Sequence, residues 1–402
     1  MPSPLDQAQD VLSYPFAIGP LGTPPETIAW ARKHRPVCPI SLPSGTRAWM
    51  VTNKDDIGLV LTDKRFSRDL TYSGAPRFVG EDFTAVPGGL FNLDPPDHTR
   101  VRRVIGHFYT RTGVERFRPL VERHATQLLD AMAGGDNPAD LMQAYSTQLP
   151  LHSSCDMLQV PVDFREQYLA YFHTQTNYQA TAEEVAQATA KILDFSRDII
   201  ALKRKHPGHA DPIGALIEAR TQGLIDEDEL VGTVCYLFVT GSEPLIPPLS
   251  TGVLTLLEHR PQLQQCIDDP TLWPKAIEEV LRYHHNGVLG LPRVATEDVA
   301  LKDTLIRRGE AVCATMLGVT WDPKYYKHPA KFDIHRSTDG TATFGAGPHF
   351  CLGSALVRMF LEVAYRMLFA RFPSLTLAVP AGEIPWEKNI LFIRPVSLPV
   401  AW

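Results

Sequence analysis

Residues 344–353 read Phe-Gly-Ala-Gly-Pro-His-Phe-Cys-Leu-Gly, and an apolar stretch that runs to about Arg371 follows them. Gly345 and Gly347 permit backbone angles that other residues resist. The segment is therefore predicted to be a loop that places Cys351 at the start of a long helix. The positive end of that helix would favour a thiolate. The alternative is an ordinary buried cysteine, because free cysteines are among the most buried residues.

The composition indicates a soluble globular chain with a large core. The sequence has 402 residues, of which 44% are hydrophobic and 21% charged. No internal repeat, low-complexity tract or linker divides it, so residues 1–402 are expected to form a single domain. The net charge of −6 argues against general affinity for nucleic acid.

The cysteines and the N-terminus indicate the compartment. The six cysteines are scattered without a Cys-x-x-Cys pair, a pattern typical of reduced intracellular thiols rather than disulfides or a zinc site. The first 16 residues lack an apolar signal region, and no uninterrupted run of about 18 apolar residues occurs. We therefore expect a cytoplasmic protein without a membrane segment.

The spacing Phe-x-x-Gly-x-x-x-Cys-x-Gly resembles the haem-binding loop of cytochromes P450. Four motifs in family order extend the resemblance from about residue 15 to Trp402, and the lack of an anchor is similar to soluble bacterial members. The resemblance implies a haem b held through the sulfur of Cys351. It also implies a mainly α fold with small β-sheets, in which a long central helix crosses above the haem. The β-containing lobe would lie mainly within 15–65 and 290–320, together with a C-terminal hairpin, and the rest would be helical.

A basic helix face resembles the family's anchor for the haem propionates. His98 and Arg102 are four residues apart and so share one face of a helix. Taken alone, the pair also fits a solvated basic face, and Arg100 and Arg103 fit that description or a docking surface for an acidic electron donor. The resemblance assigns further haem contacts to Arg293, His349, Phe344 and Gly353.

A second helix carries a Glu-x-x-Arg pair, which by itself is a weak motif. Glu279 and Arg282 lie three residues apart on one helix face. A solvated pair is the simpler interpretation. The resemblance implies instead a buried network, completed by Arg336, that supports the loop beneath the haem.

The central helix contains the chain's main departure from the family. Acidic residues 226–229 begin an apolar stretch that runs to Leu257. Its centre reads Val239-Thr240-Gly241-Ser242-Glu243-Pro244, where the family has glycine, any residue, an acid and then threonine. Pro244 therefore replaces the threonine whose hydroxyl helps to deliver protons to bound dioxygen in the family. Because proline cannot donate to the carbonyl four residues earlier, we expect a strong kink with free carbonyls and water.

Three hypotheses follow for the proton supply. Protons come through the substrate or water with Glu243 still involved, or Thr240 or Ser242 supplies the hydroxyl, or the reaction does not need this relay. The residues expected to take part in catalysis are Thr240, Gly241, Glu243 and Pro244.

The resemblance implies oxidation of a small organic molecule by a monomer in bacterial specialised metabolism, with electrons from a ferredoxin and its reductase. The residues expected to line the substrate pocket are Phe78, Phe83, Phe91, Val239, Val288, Leu289, Leu391 and Phe392. Pro244 leaves a second interpretation open, in which the protein is an atypical P450 that cyclises or couples its substrate or carries out other non-hydroxylating chemistry. Two further alternatives are a non-catalytic haem sensor and a hydrolase that uses Cys351 and His349.

Overall fold

The helices dominate the fold. The computed structural model describes residues 11–161, 165–205, 210–337 and 343–402, with the side chains of residues 165–169 left out. The α-helices within these ranges are α1 (Glu26–His34), α2 (Lys54–Thr62), α3 (Asp97–Ile105), α4 (Arg111–Val114), α5 (Arg118–Ala133), α6 (Gln148–Met157), α7 (Arg165–Thr176), α8 (Ala182–Lys205), α9 (Pro212–Thr221), α10 (Glu227–Gly241), α11 (Ile246–Glu258), α12 (Arg260–Asp268), α13 (Trp273–Tyr283), α14 (Leu317–Thr320) and α15 (Ser354–Arg371). A π-helix spans Met142–Ser146. The 3-10 helices are Pro20–Gly22, Phe83–Ala85, Gly106–Tyr109, Glu115–Phe117, Glu243–Leu245, Pro270–Leu272, Gly347–His349 and Ala381–Glu383.

The strands are short and form small sheets. They are β1 (Leu12–Ser13), β2 (Val37–Ser41), β3 (Arg47–Val51), β4 (Phe66–Ser67), β5 (Ala139–Asp140), β6 (Arg293–Ala295), β7 (Val299–Leu301), β8 (Thr304–Ile306), β9 (Ala311–Ala314), β10 (Thr376–Leu377) and β11 (Pro399–Ala401). One mixed sheet has the order β1-β2-β3-β9-β6-β4, a second has the order β10-β11-β5, and β7 pairs with β8. The predicted mainly α fold with small sheets is confirmed.

The central helix is interrupted rather than merely bent. A capping box between Asp226 and Glu229 begins α10, which ends at Gly241. Ser242 then has φ −117° and ψ −58°, and the 3-10 turn Glu243–Leu245 leads into α11. The cause lies in the sequence, because Pro244 and the two prolines at the start of α11 have no N–H to continue the ladder of hydrogen bonds.

The stretch Glu227–Glu258 is long and apolar enough to cross a membrane by length and hydropathy. Most of it is buried inside the protein, since 83% of its most apolar window is covered by other residues. A core helix of a large domain has the same properties, and the surroundings of α10 and α11 are those of a core helix.

The helix that follows the cysteine loop is fastened to the central helix. The Tyr365 hydroxyl of α15 donates to the carbonyl of Pro248 in α11. Gly252 makes this approach possible, because a Cβ atom there would lie 1.9 Å from the Tyr365 oxygen. The two helices therefore hold the cysteine loop at a fixed distance from the interrupted segment.

A buried ion network supports the chain ahead of the cysteine loop. Glu279 accepts hydrogen bonds from Arg282 at 2.7 and 2.8 Å and from Arg336 at 3.2 Å. Its carboxylate and the Arg282 side chain are fully buried. The remaining donors of Arg336 reach backbone carbonyls, including that of Lys331 at 2.8 Å. This network connects α13 to the segment that precedes the loop.

Candidate active site

The cysteine loop has the backbone that its glycines predict. Gly345 has φ +74° and Gly347 has φ +69°, which is the left-handed region that side chains resist. A Cβ atom at Gly347 would also lie 2.6 Å from the carbonyl oxygen of Leu61. The Cys351 amide donates to the Phe344 carbonyl at 2.9 Å and closes the loop. Cys351 is thereby fixed three residues before α15 begins.

Burial acts against the thiolate that the start of α15 favours at Cys351. Burial raises the pKa of the thiol above its usual value, although the Gly353 amide, Arg102 and Arg358 act to lower it. A metal ion at the sulfur would require the thiolate and would displace its proton.

A cavity lies between this loop and the central helix. The space open to the centres of water molecules inside it is about 450 Å³. Cys351 forms part of one wall, and Thr240, Gly241 and Pro244 form part of another. Phe344 and Gly353 also line it. The cavity therefore brings together the two segments that sequence analysis singled out for chemistry.

One rim of the cavity concentrates basic side chains. The predicted anchors His98, Arg102, Arg293 and His349 all line the cavity, and Arg68 joins them. The rings of His98 and His349 lie 4.2 Å apart. Three buried nitrogens here have no hydrogen-bond partner, namely His98 Nδ1, His349 Nε2 and Arg68 Nη2. Among the described residues, no aspartate or glutamate lines the cavity.

The basic rim is not balanced by acids, because the effect of Asp94 on Arg68, His98 and Arg293 is outweighed by burial in all three. Burial, followed by repulsion from Arg68, lowers the pKa of Arg293 to about 9. Burial and neighbouring cations lower the pKa of His98 to about 4 and that of His349 to about 2. Buried cations without a counter-charge are costly. A bound group with two carboxylates would pair with them, so the residues fit the two propionates and the sulfur-bound iron of a haem.

Six of the eight predicted pocket residues line the cavity. They are Phe83, Phe91, Val239, Leu289, Leu391 and Phe392. The prediction is wrong for Phe78, which lies outside the cavity wall and stacks on Tyr178 with ring centres 5.8 Å apart. It is also wrong for Val288, which is buried in the core beside the cavity. These two residues lie in a bend between α13 and β6, where no regular alternation fixes which side chain faces the cavity.

Sequence reasoning missed Arg68. Its guanidinium stacks 4.5 Å from the centre of the Phe91 ring and donates to the carbonyl of Pro292. Burial lowers its pKa. The position directly follows β4, which pairs with the strand that begins with Arg293. The signal that could have identified Arg68 is its position directly after a strand that pairs with the strand carrying Arg293.

Glu243 does not line the cavity. It is buried and paired with Arg394 at 2.5 Å, and the Arg394 side chain is also buried. Ser242 likewise lies outside the wall, with its hydroxyl buried and unpaired. Of the three polar candidates around the interruption, only Thr240 faces the cavity.

The interruption leaves fewer free carbonyls than expected. Ser154 of α6 donates to the Gly241 carbonyl, and Asn286 donates to the Pro244 carbonyl at 2.6 Å. Side chains from other elements thus replace helix amides at two positions, and one of them, the Pro244 carbonyl, lies four residues before a proline and was expected to be free.

Comparison with known proteins identifies close relatives along the whole chain. A family model described as cytochrome P450 matches residues 264–378. The chain is 34% identical over 397 residues to nocardicin C N-oxygenase of Nocardia uniformis subsp. tsuyamanensis, covering 98% of this chain and 99% of that protein. It is 35% identical over 372 residues to mycinamicin IV hydroxylase/epoxidase of Micromonospora griseorubida, covering 91% and 92%.

Solved structures of the same family match the fold of this chain. The crystal structure of cytochrome P450mel 107F1, described as having biaryl coupling reactivity, superposes with a TM-score of 0.90 at 32% identity. The match covers 98% of this chain and all of that one.

Proposed function

The chain belongs to the cytochrome P450 family and is a haem-thiolate monooxygenase, and from this premise we propose that Cys351 holds the iron of a haem b. The observation that carries the proposal is a single cavity that combines the Cys351 sulfur with a buried basic rim and has no acid in its described wall. When bound, the haem supplies dioxygen activation and electron transfer.

The protein's own residues position that group and the substrate. His98, Arg102, Arg293 and His349 would hold the two carboxylates of the haem. Arg102 also donates to the Phe350 carbonyl of the cysteine loop at 2.7 Å. Phenylalanine and leucine side chains opposite the loop bind a small organic substrate and exclude water from it. The relatives named above are an N-oxygenase and a hydroxylase/epoxidase, which supports an enzyme rather than a haem sensor.

The electrons come, we propose, from a ferredoxin and its reductase. Phe350 of the cysteine loop is 42% exposed. Arg103 of α3 is also exposed. Arg100 is paired with Glu229 at 2.6 Å, so Arg103 is the better placed of the two for an acidic donor. A monomer in the bacterial cytoplasm would meet such a donor directly.

Specialised metabolism is the expected setting. The relatives named above are an N-oxygenase for nocardicin C and a hydroxylase/epoxidase for mycinamicin IV. These are different oxidations on different molecules. They support oxidation of a small organic molecule but do not indicate which substrate this protein binds.

The basic rim can be tested through haem retention. Arg102→Gln and Arg293→Gln should each speed haem transfer to apomyoglobin at least about tenfold, because each leaves a buried carboxylate without its partner. The control is Arg103→Gln, one position along α3, where the exposed side chain should not matter. Equal transfer rates in Arg103→Gln and the two rim variants would refute the assignment of the rim.

A second candidate function is oxidative cyclisation or coupling without oxygen insertion. Two observations favour it: Pro244 replaces the threonine of the family, and Arg394 holds Glu243 outside the cavity wall. The structural relative with biaryl coupling reactivity shows that such chemistry occurs on a similar fold.

Labelled dioxygen and a Pro244→Thr variant separate the two candidates. For a monooxygenase, the product of the native enzyme should carry one labelled oxygen atom. Pro244→Thr should then raise product formed per electron severalfold without changing the product, because it restores a hydroxyl in the proton path. Unlabelled, cyclised or coupled product would support the second candidate.

Pro244→Ala is the matched control for this experiment. It restores the backbone N–H but supplies no hydroxyl. An equal gain in both variants would assign the effect to the straightened helix and would contradict the role given to the hydroxyl.

A further inference from the structure

Polar side chains on the cavity wall near the helix interruption direct hydrogens at backbone carbonyls of the protein. Each of four side chains donates to a backbone carbonyl, which can only accept. The pairs are Tyr236 to Phe83 at 2.5 Å, Thr240 to Tyr236 at 2.6 Å, Asn286 to Pro244 at 2.6 Å, and Ser154 to Gly241. All four side chains line the cavity.

The three hydroxyls among them can then only accept a further hydrogen bond, because each has a single hydrogen. Thr240 stands out, because it is exposed although it lies in the middle of the buried central helix. Its exposure is toward the cavity. With its proton directed at the Tyr236 carbonyl, the hydroxyl oxygen presents lone pairs to a ligand. The Asn286 amide keeps its oxygen as an acceptor and its second N–H as a donor. Pro244 has no N–H to give to the Thr240 carbonyl.

The same side of the cavity is walled by aromatic rings. Phe91 stacks on Tyr236 with ring centres 5.1 Å apart. Phe83 stacks on Phe172 at 6.5 Å, and Phe172 stacks on Phe392 at 6.3 Å. Phe83 and Phe91, 6.4 Å apart, join these pairs into one row of rings in the cavity wall. The row begins at Tyr236, one helical turn before Thr240, and it favours flat aromatic ligands through stacked or edge contacts.

We propose that the substrate is an aromatic molecule with an N–H or O–H group that donates a hydrogen bond to Thr240. The inference rests on the proposed function and narrows its substrate class. Thr240 acts here as a specificity-determining residue, and acceptor-only aromatic molecules are poorer ligands because its hydroxyl hydrogen is already bonded to the Tyr236 carbonyl. An indole or a phenol-like ring has the required combination of features.

Spin-state titration of the haem-bound protein tests the proposal with matched probes. Indole is compared with N-methylindole, and naphthol with methoxynaphthalene. We expect the donor of each pair to bind about fivefold more tightly, the value of one neutral hydrogen bond. Thr240→Val should reduce that ratio to about one, and Thr240→Ser should preserve it. Saturated decahydronaphthol should bind more weakly than naphthol.

Thr233→Val is the matched control, because Thr233 also lines the cavity two helical turns earlier on α10 but accepts from the Leu90 amide. It should keep the preference for donors. Equal affinities within each pair, a preference that persists in Thr240→Val, or no response to either member of the pairs would overturn the proposal. So would tighter binding of naphthoate than naphthol, which would place the anchor at Arg68. If the same preparation gives the long-wavelength carbon monoxide band of thiolate ligation, the proposed function stands even when this inference fails.

Discussion

Replacing Cys351 by histidine is expected to lower substrate oxidation to the level of protein-free haem while the protein stays folded. The thiolate pushes electron density that favours cleavage of the O–O bond, and a neutral imidazole does not. The side chain opens on the cavity opposite Thr240 and Pro244, so the substitution changes the ligand and leaves the basic rim and the aromatic wall in place. The measurement is product formation with a ferredoxin and its reductase, alongside thermal unfolding.

The chain offers an internal control for that experiment. Cys266 lies in the core and does not line the cavity. Cys266→Ala should therefore oxidise substrate at the native rate per molecule of folded protein. If Cys351→His still oxidised substrate at the native rate, the sulfur would not be the ligand on which the reaction depends.

Glu279→Ala should destabilise the protein by about 3–5 kcal/mol, the cost of leaving a buried charge without its partner. The substitution leaves Arg282 fully buried and Arg336 nearly so, both without their carboxylate. The midpoint of urea unfolding of the haem-bound protein measures the effect. Haem loss should accompany it, because Arg336 secures the chain ahead of the cysteine loop.

The neighbouring residue provides the control. Glu278 forms an ion pair with Arg358, whose side chain is 40% exposed. Glu278→Ala should cost at most about 1 kcal/mol, as exposed pairs do. A loss of stability in Glu279→Ala as small as that in Glu278→Ala would show that the buried network does not support the fold in the way proposed.

Features with local causes can be predicted from this sequence. The loop around Cys351 follows from glycines that need positive φ, and the break in the central helix follows from Pro244, because backbone geometry is decided by a few adjacent residues. The basic rim is also predictable in part. His98 and Arg102 share a helix face through their spacing.

Features that depend on distant contacts are not predictable in the same way. Nothing near Glu243 in the sequence shows that Arg394, 151 residues later, pairs with it. The sequence also does not show that Ser154 and Asn286 satisfy the carbonyls freed by the interruption. Phe78 lies in an irregular loop, where no periodicity fixes which way a side chain points. The thiol pKa of Cys351 depends on burial by the whole fold.

The carbon monoxide spectrum of the native, freshly reduced protein tests the central claim most directly. A haem held by the Cys351 thiolate should give the long-wavelength Soret band that distinguishes thiolate ligation from histidine ligation. A globin-like band in fresh, folded protein, or a colourless protein after growth with ample iron, would contradict the account.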